Sequence, residues 1–425
     1  MGSLTLGLCV TVDNPTRPVM NNGTHDFHPT VIMISLDGVV NHDLDLHITP
    51  NLARIASNGM RAHWMTPSFP SITFPNHWTL VTGLFPEAHG IVNNYFYDPV
   101  LNDTFNYKDP AHSWDMKWWG GEPIWITAVR QGRIAGAIMW PGCSVTFNDL
   151  QPSLSVPYSD AMTMDEKVDQ ALEWIDLPME HRPEFIGLYV PQVDQAGHRE
   201  GPFANEASIL TMKQLRLADA GVGRLVHGLS ARNLTEIIHV IVVSDHGMSQ
   251  TDVSRLIYYD DELTPAELAL IATTEGDPLL AIRPPANVNQ TEAVDRLYNA
   301  FKRLQRKSGH FEVYKRESIP TRYHYSHNER IAPLLVVPEA GWLLITHQRY
   351  DRTKDGDVFH PRGTHGYDNL SPQMRAFFVG QGPTFSKDVT AKPFQNIEVY
   401  EVLTRILNLK PAANNGTLRG HLQIE

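Results

Sequence analysis

Four short segments of the 425-residue chain each place ligand-type side chains at the end of an apolar run. They are Ser35-Leu36-Asp37-Gly38, Val193-Asp194-Gln195-Ala196-Gly197-His198, Ser244-Asp245-His246-Gly247-Met248 and Gly363-Thr364-His365-Gly366. Together they offer three carboxylates and three imidazoles, a donor set that suits two zinc ions in roughly tetrahedral surroundings. A glycine beside each ligand lets the backbone turn tightly enough to bring the side chains together. Read singly, each segment is a plain turn or a surface Asp-His pair; the joint order of four in one chain carries the signal. Any metal must be held by His and carboxylates, because Cys9 and Cys143 are too few for a Cys-rich zinc site or a disulfide framework.

A fifth segment runs from Pro70 to Gly83 and contains Thr73-Phe74-Pro75-Asn76-His77. Pro75 and the residues after it read as a helix start, which sets Thr73 just ahead of the N-terminus. The free N–H groups and the macrodipole there favour an alkoxide and a phosphoryl oxygen. A threonine hydroxyl is a poor nucleophile at neutral pH, and zinc on its oxygen lowers its pKa without a histidine base. On this segment alone, a plain N-cap is the favoured account of Thr73. His77 and His89 read as structural hydrogen-bonders near this helix.

These residues need elements to bring them together. VIMISL (31–36) is a short continuous apolar run, as expected for a buried parallel strand. IAGAIMW (134–140), EFIGLYV (184–190) and IIHVIVVSD (237–245) repeat the pattern. Helical patterns lie between them at 52–59, at 165–175 with Val168, Leu172 and Ile175 on one face, and from Glu206 to about Leu229. Strands alternating with helices predict a doubly wound α/β sheet, with ligands outside the carboxyl ends of its strands. From about 250 to 360 the texture changes to strand-like runs around an amphipathic helix carrying Val294, Leu297, Tyr298, Phe301 and Leu304. This reads as an inserted α+β subdomain, after which MRAFFVG (374–380) resumes the core. Residues 1–27 read as a polar tail, 28–410 as the catalytic domain, and 411–425 as a C-terminal tail.

Apolar residues make up 42% and charged residues 19%, which suits a packed core and excludes a disordered chain. A net charge of −12 argues against nucleic acid as a bulk partner. No apolar run approaches the ~18 residues of a membrane span, and the N-terminus lacks the basic flank of a signal peptide. Six N-x-S/T sequons, at Asn22, Asn102, Asn233, Asn289, Asn369 and Asn415, point to a secreted, lumenal or extracellular domain whose targeting or anchoring segment lies upstream or has been removed. Pro372 follows the sequon at Asn369 and disfavours its use.

The ordered set Asp37, Thr73-Phe-Pro-Asn-His, Asp194/His198, Asp245/His246 and His365 resembles the nucleotide pyrophosphatase/phosphodiesterase family of the alkaline phosphatase superfamily, most like its fungal catalytic domains, from about residue 30 to 410. The resemblance implies an alkaline-phosphatase-like sheet flanked by helices and two Zn2+ ions. Asp194, His198 and His365 would hold one, and Asp37, Asp245, His246 and the Thr73 oxygen the other. It makes Thr73 the nucleophile that forms a phosphothreonine intermediate, and Asn94 a donor to a phosphate oxygen. Phe74 and Tyr158 would stack on the base, with Trp140 and Tyr189 as further pocket walls; ordinary core packing is the alternative for these aromatic residues. Stacking tolerates any base, so broad nucleotide use is expected. Ser144 stands where some animal members carry an acidic residue. The implied reaction is hydrolysis of phosphodiester and pyrophosphate bonds in nucleoside triphosphates and dinucleotides to nucleoside 5′-monophosphates. A phosphodiesterase for choline or lipid head groups is the alternative within the superfamily. A non-catalytic glycoprotein of the same fold is disfavoured, since all seven ligand positions carry competent residues. A sulfatase is disfavoured by the lack of a Cys-x-Pro-x-Arg segment.

Overall fold

A computed structural model describes residues 18–202 and 209–418. Two sheets organise them. In chain order the strands are β1 (Thr30–Leu36), β2 (Met60–Ala62), β3 (Ala135–Ile138), β4 (Leu154–Val156), β5 (Phe185–Val190), β6 (Ile238–Val243), β7 (Thr273–Glu275), β8 (Leu280–Arg283), β9 (Phe311–Lys315), β10 (Leu334–Pro338), β11 (Phe378–Gln381) and β12 (Val389–Ala391). The main sheet has the order β12-β2-β11-β6-β1-β5-β3-β4. Its centre, β6-β1-β5-β3, is parallel, and β11 runs antiparallel between β6 and β2. The apolar runs become central strands because both faces are covered, so every residue of β1, β5 and β6 is buried.

The main helices are α1 (Pro50–Asn58), α2 (Thr73–Thr82), α3 (Met164–Ile175), α4 (Gln192–Glu200), α5 (Ile209–Ala231), α6 (Gln290–Ser308) and α7 (Glu398–Ile406). Thr163 and Glu166 form a capping box that starts α3, and Val168, Leu172 and Ile175 are its buried face. The start expected at Glu206 for the helix that becomes α5 lies outside the described residues, as does Cys9. The strand expected over 134–140 stops at Ile138, because Met139 takes a left-handed conformation (φ 62°) and turns Trp140 out of the ladder.

Residues 18–27, the described part of the expected polar tail, are folded against the body. Met20–Asn21 pairs with Asp26–Phe27 as a hairpin, turned by the Asn22 side-chain oxygen accepting the N–H groups of Thr24 and His25. Phe27 is buried under the Arg182 guanidinium, 3.8 Å from its ring centroid, and Asn22 and Asn233 exchange hydrogen bonds with each other's segments. At the other end, Ala412 donates to the Tyr400 hydroxyl and Asn415 to the Gly83 carbonyl, so the start of the second expected tail also lies against the body.

Strands β7-β8-β10-β9 form a second sheet covered by α6. Its residues alternate with a period of two. Leu280 and Ile282 of β8, and Leu334 and Val336 of β10, pack with Leu297, Phe301 and Leu304 in a separate apolar cluster. Leu279, Ala281, Leu335 and Val337 face the other way, into the main core.

Candidate active site

The ligand-type residues gather where the parallel strands end. Leu36 pairs with Val190 and Ser35 with Val243, so β1, β5 and β6 finish level with one another. Asp37 follows β1, Asp245 and His246 follow β6, and β5 leads into α4, which presents Asp194 and His198 one turn apart. His365 arrives from the far side of the insertion, after Gly363–Thr364 pairs antiparallel with Ser249–Gln250. Gly38 has φ 72°, and a Cβ there would lie 2.9 Å from Asp194 Cβ. This glycine is what allows the Asp37 carboxylate after β1 and the Asp194 carboxylate of α4 to approach.

Asp194, His198 and His365 form one group, and Asp37, Asp245 and His246 another, each with its ligand atoms within 4.8 Å of one another. In the first, His198 Nε2 is 3.4 Å from Asp194 Oδ2 and 3.2 Å from His365 Nε2, and His365 Nε2 is 3.4 Å from Asp194 Oδ1. In the second, His246 Nε2 is 3.5 Å from Asp37 Oδ1 and 3.0 Å from Asp245 Oδ2. A tetrahedron with bonds of about 2.05 Å to zinc has edges of about 3.3 Å, which these separations match.

Three further observations fit a cation. Asp37 Oδ1, Asp194 Oδ1 and Asp245 Oδ2 are buried with no hydrogen-bond partner among the described residues, a state that is costly for a carboxylate. The Nδ1 atoms of His198, His246 and His365 face the carbonyls of Gly363, Gly247 and Ser71 at 2.8–2.9 Å, which fixes Nε2 as the lone-pair end turned inward. Burial, together with Asp245 and Asp194, pushes the Asp37 carboxyl well above the usual range, while burial beside His246 and His198 pushes His365 well down. Positive charge between the groups would stabilise the Asp37 carboxylate, and the neutral ring that burial favours at His365 is the form that binds a metal.

Thr73 is the first residue of α2, and the cap position is Ile72, which makes no side-chain cap bond. Thr73 is therefore not an N-cap. Its Oγ1 lies 3.2 Å from His246 Nε2, next to the second group. His77 is closer to the chemistry than a merely structural histidine, since its ring bonds the Thr73 carbonyl (2.9 Å) and Ser35 Oγ (2.8 Å), and Nδ1 lies 3.3 Å from Asp245 Oδ2. Trp140 donates its indole N–H to the His77 carbonyl, and the Tyr189 hydroxyl donates to Asp37 Oδ2. Both rings are buried, so each meets the site largely through its polar end.

A cavity of about 470 Å³ opens beside Thr73, lined by Phe74, Asn94, Trp140, Ser144, Tyr158 and Tyr189 among others. Phe74 is half-buried and backed by Phe105 and Trp119 at 6.0 and 6.1 Å. Its N–H donates to Asn94 Oδ1 at 2.9 Å, which turns the Asn94 amide NH2 the other way. Tyr158 is half-exposed across the opening. Among the lining residues that sequence reasoning missed are Tyr107, Trp114, Asp160 and Gln195. Gln195 lay inside a motif already singled out, between Asp194 and His198; the other three sit in loops that have no spacing rule.

Residues 31–368 match the family model described as type I phosphodiesterase / nucleotide pyrophosphatase. An uncharacterized pyrophosphatase/phosphodiesterase of Schizosaccharomyces pombe is 40% identical over 407 residues, covering 95% of this chain and 82% of that protein. Ectonucleotide pyrophosphatase/phosphodiesterase family member 3 of Rattus norvegicus is 36% identical over 92% of this chain, which spans only 43% of the rat protein. The structure of murine ectonucleotide pyrophosphatase/phosphodiesterase 5 superposes with a TM-score of 0.80 at 33% identity, covering 91% of this chain and 97% of that one. The murine protein was also solved as an inactive threonine-to-alanine variant in complex with AMP.

Proposed function

The chain belongs to the type I phosphodiesterase / nucleotide pyrophosphatase family, and from that premise we propose that it is a two-zinc hydrolase releasing nucleoside 5′-monophosphates from nucleoside triphosphates and dinucleotides. One observation carries the reading: two groups of ligand-type side chains, whose three carboxylates each bury an unpartnered oxygen, lie beside a threonine hydroxyl on a helix N-terminus. Asp194, His198 and His365 would hold one zinc, and Asp37, Asp245, His246 and Thr73 Oγ1 the other. When bound, the pair supplies charge that lowers the pKa of the Thr73 hydroxyl and of a water and stabilises the phosphoryl oxygens. Thr73 attacks phosphorus, the bond to the leaving oxygen breaks, and the phosphothreonine so formed is hydrolysed by water. The Asn94 amide donates to a non-bridging phosphate oxygen, and the N-terminus of α2 favours the same charge. Phe74 and Tyr158 hold the base between their faces without reading its edge. The murine variant with AMP supports both the nucleophile and the product class.

The same reading takes the chain through the secretory route. Among its sequons, Asn102, Asn233, Asn289 and Asn415 are exposed, whereas Asn369 is buried and donates its amide to the Pro67 carbonyl. No helix among the described residues is long and apolar enough to cross a membrane.

The test is turnover of 4-nitrophenyl thymidine 5′-monophosphate with zinc content measured on the same sample. Thr73→Ala is expected to lower kcat by at least about a thousandfold while most of the zinc stays bound. Near-normal rates in Thr73→Ala overturn the mechanism.

A further inference from the structure

The two walls of the base slot are held in different ways. Phe74 sits at the start of α2 and is backed by other rings. Tyr158 lies in residues 157–163, which form neither strand nor helix, and the residue is 46% exposed. The Tyr189 ring is 6.5 Å away, centroid to centroid. What fixes Tyr158 is its far end. Its hydroxyl donates to Asp160 Oδ1 at 2.6 Å and accepts from Gln195 Nε2 at 3.3 Å. Gln195 belongs to α4, the helix that also carries Asp194 and His198.

We propose that Asp160 is a positioning residue: with Gln195 it clamps the Tyr158 hydroxyl, pre-setting the exposed wall of the base slot and fixing it to the helix that carries two of the metal-type ligands. The inference rests on the reading of Tyr158 as a base wall. A hydrogen bond to a carboxylate is short and strong enough to hold a ring that packing leaves free. A ring already in place loses less rotamer freedom when the base arrives, so the clamp acts on substrate affinity rather than on the chemical step. Asp160 and Tyr158 are two residues apart in one loop, whereas Gln195 is 37 residues further on, so the clamp ties a loop to a rigid element.

The experiment compares the zinc-loaded wild type with Asp160→Ala, Tyr158→Phe, their double variant and Asp160→Asn. The substrates are 4-nitrophenyl thymidine 5′-monophosphate and the base-free ester methyl 4-nitrophenyl phosphate. Zinc content and thermal melts confirm that each variant is folded. Asp160→Ala and Tyr158→Phe are each expected to raise KM for the nucleotide ester about two- to tenfold, with little change in kcat. The double variant is expected to be no worse than either single one, because both cut the same bond. Asp160→Asn keeps an acceptor oxygen and is expected to recover most of the loss. On the base-free ester the effect shrinks, since there is no base for the ring to hold. Additive losses in the double variant, or an unchanged KM in Tyr158→Phe, overturn the clamp. A zinc-loaded wild type that turns over neither ester fails the enzymatic reading instead, which separates the two failures.

Discussion

Tyr189 reaches Asp37 across 152 residues of sequence and hands its hydroxyl hydrogen to one carboxylate oxygen, leaving the other turned toward His246. Partners of this kind hold a ligand's orientation and are worth about ten- to a hundredfold in metal affinity or activity. Tyr189→Phe is accordingly expected to weaken zinc binding by about tenfold or more, read by competition with a chelating dye, while thermal unfolding of the zinc-saturated protein changes little. The same logic applies to His77, whose ring touches the Thr73 carbonyl, Ser35 and Asp245 at once. Residue types and order were enough to name the six ligand candidates. They were not enough to find the bonds that aim them, because a tyrosine or histidine at a given position looks the same whether its polar end meets solvent, backbone or a buried carboxylate.

At the level of elements, the turn after β1 decides whether the two groups can form side by side. Gly38 combines a left-handed φ with a distance that leaves no room for a methyl group against Asp194. Gly38→Ala is expected to cost about 1–3 kcal/mol of stability and to reduce bound zinc, checked by thermal denaturation with metal analysis of the same sample. The central strands were legible because a short continuous apolar run bounded by Gly, Pro or Asp admits few readings. Their level endings, which set Asp37 beside Asp194 and Asp245, depend on register and were not. Hairpin 20–27 escaped notice for a related reason. Between Met20 and Phe27 its residues are polar, and what holds it (Arg182 over Phe27, Asn233 against Asn22) comes from more than 150 residues away. The α2 boundary shifted by two residues from the position Pro75 suggested, and that shift is what frees Thr73 from a capping role.

For the whole molecule, histidines kept neutral by burial set the response to acid. Burial brings His89 down to about 3 and His239 down to about 4. The unfolded chain protonates both near 6.5, so between those values it binds more protons than the fold does. Stability from these groups is present above pH 6.5 and is lost as pH falls toward 4. Asp43, pushed up to about 8 by burial, acts in the opposite sense between pH 4 and 8. His239→Gln removes one titrating group and leaves the others in place. The variant's stability is expected to depend on pH less steeply between 6 and 4.5, by about 1.4 kcal/mol per pH unit, as measured by denaturant unfolding across that range. Comparing two proteins with the same metal centre cancels its own pH dependence.

The sheet of β7 to β10 is greasy on both sides, with one side shut by α6 and the other resting on the main core. Its edge also props the hairpin in which Tyr95–Asp98 pairs with Asp103–Asn106, where Glu275 accepts the Tyr97 N–H and Arg283 holds the Tyr97 carbonyl, just beyond Asn94. Shortening the chain between Gln250 and Gly363 therefore removes a roof and its bracket together. The bared flank has to find other cover, and Asn94 loses its footing although no residue of the cavity has been changed.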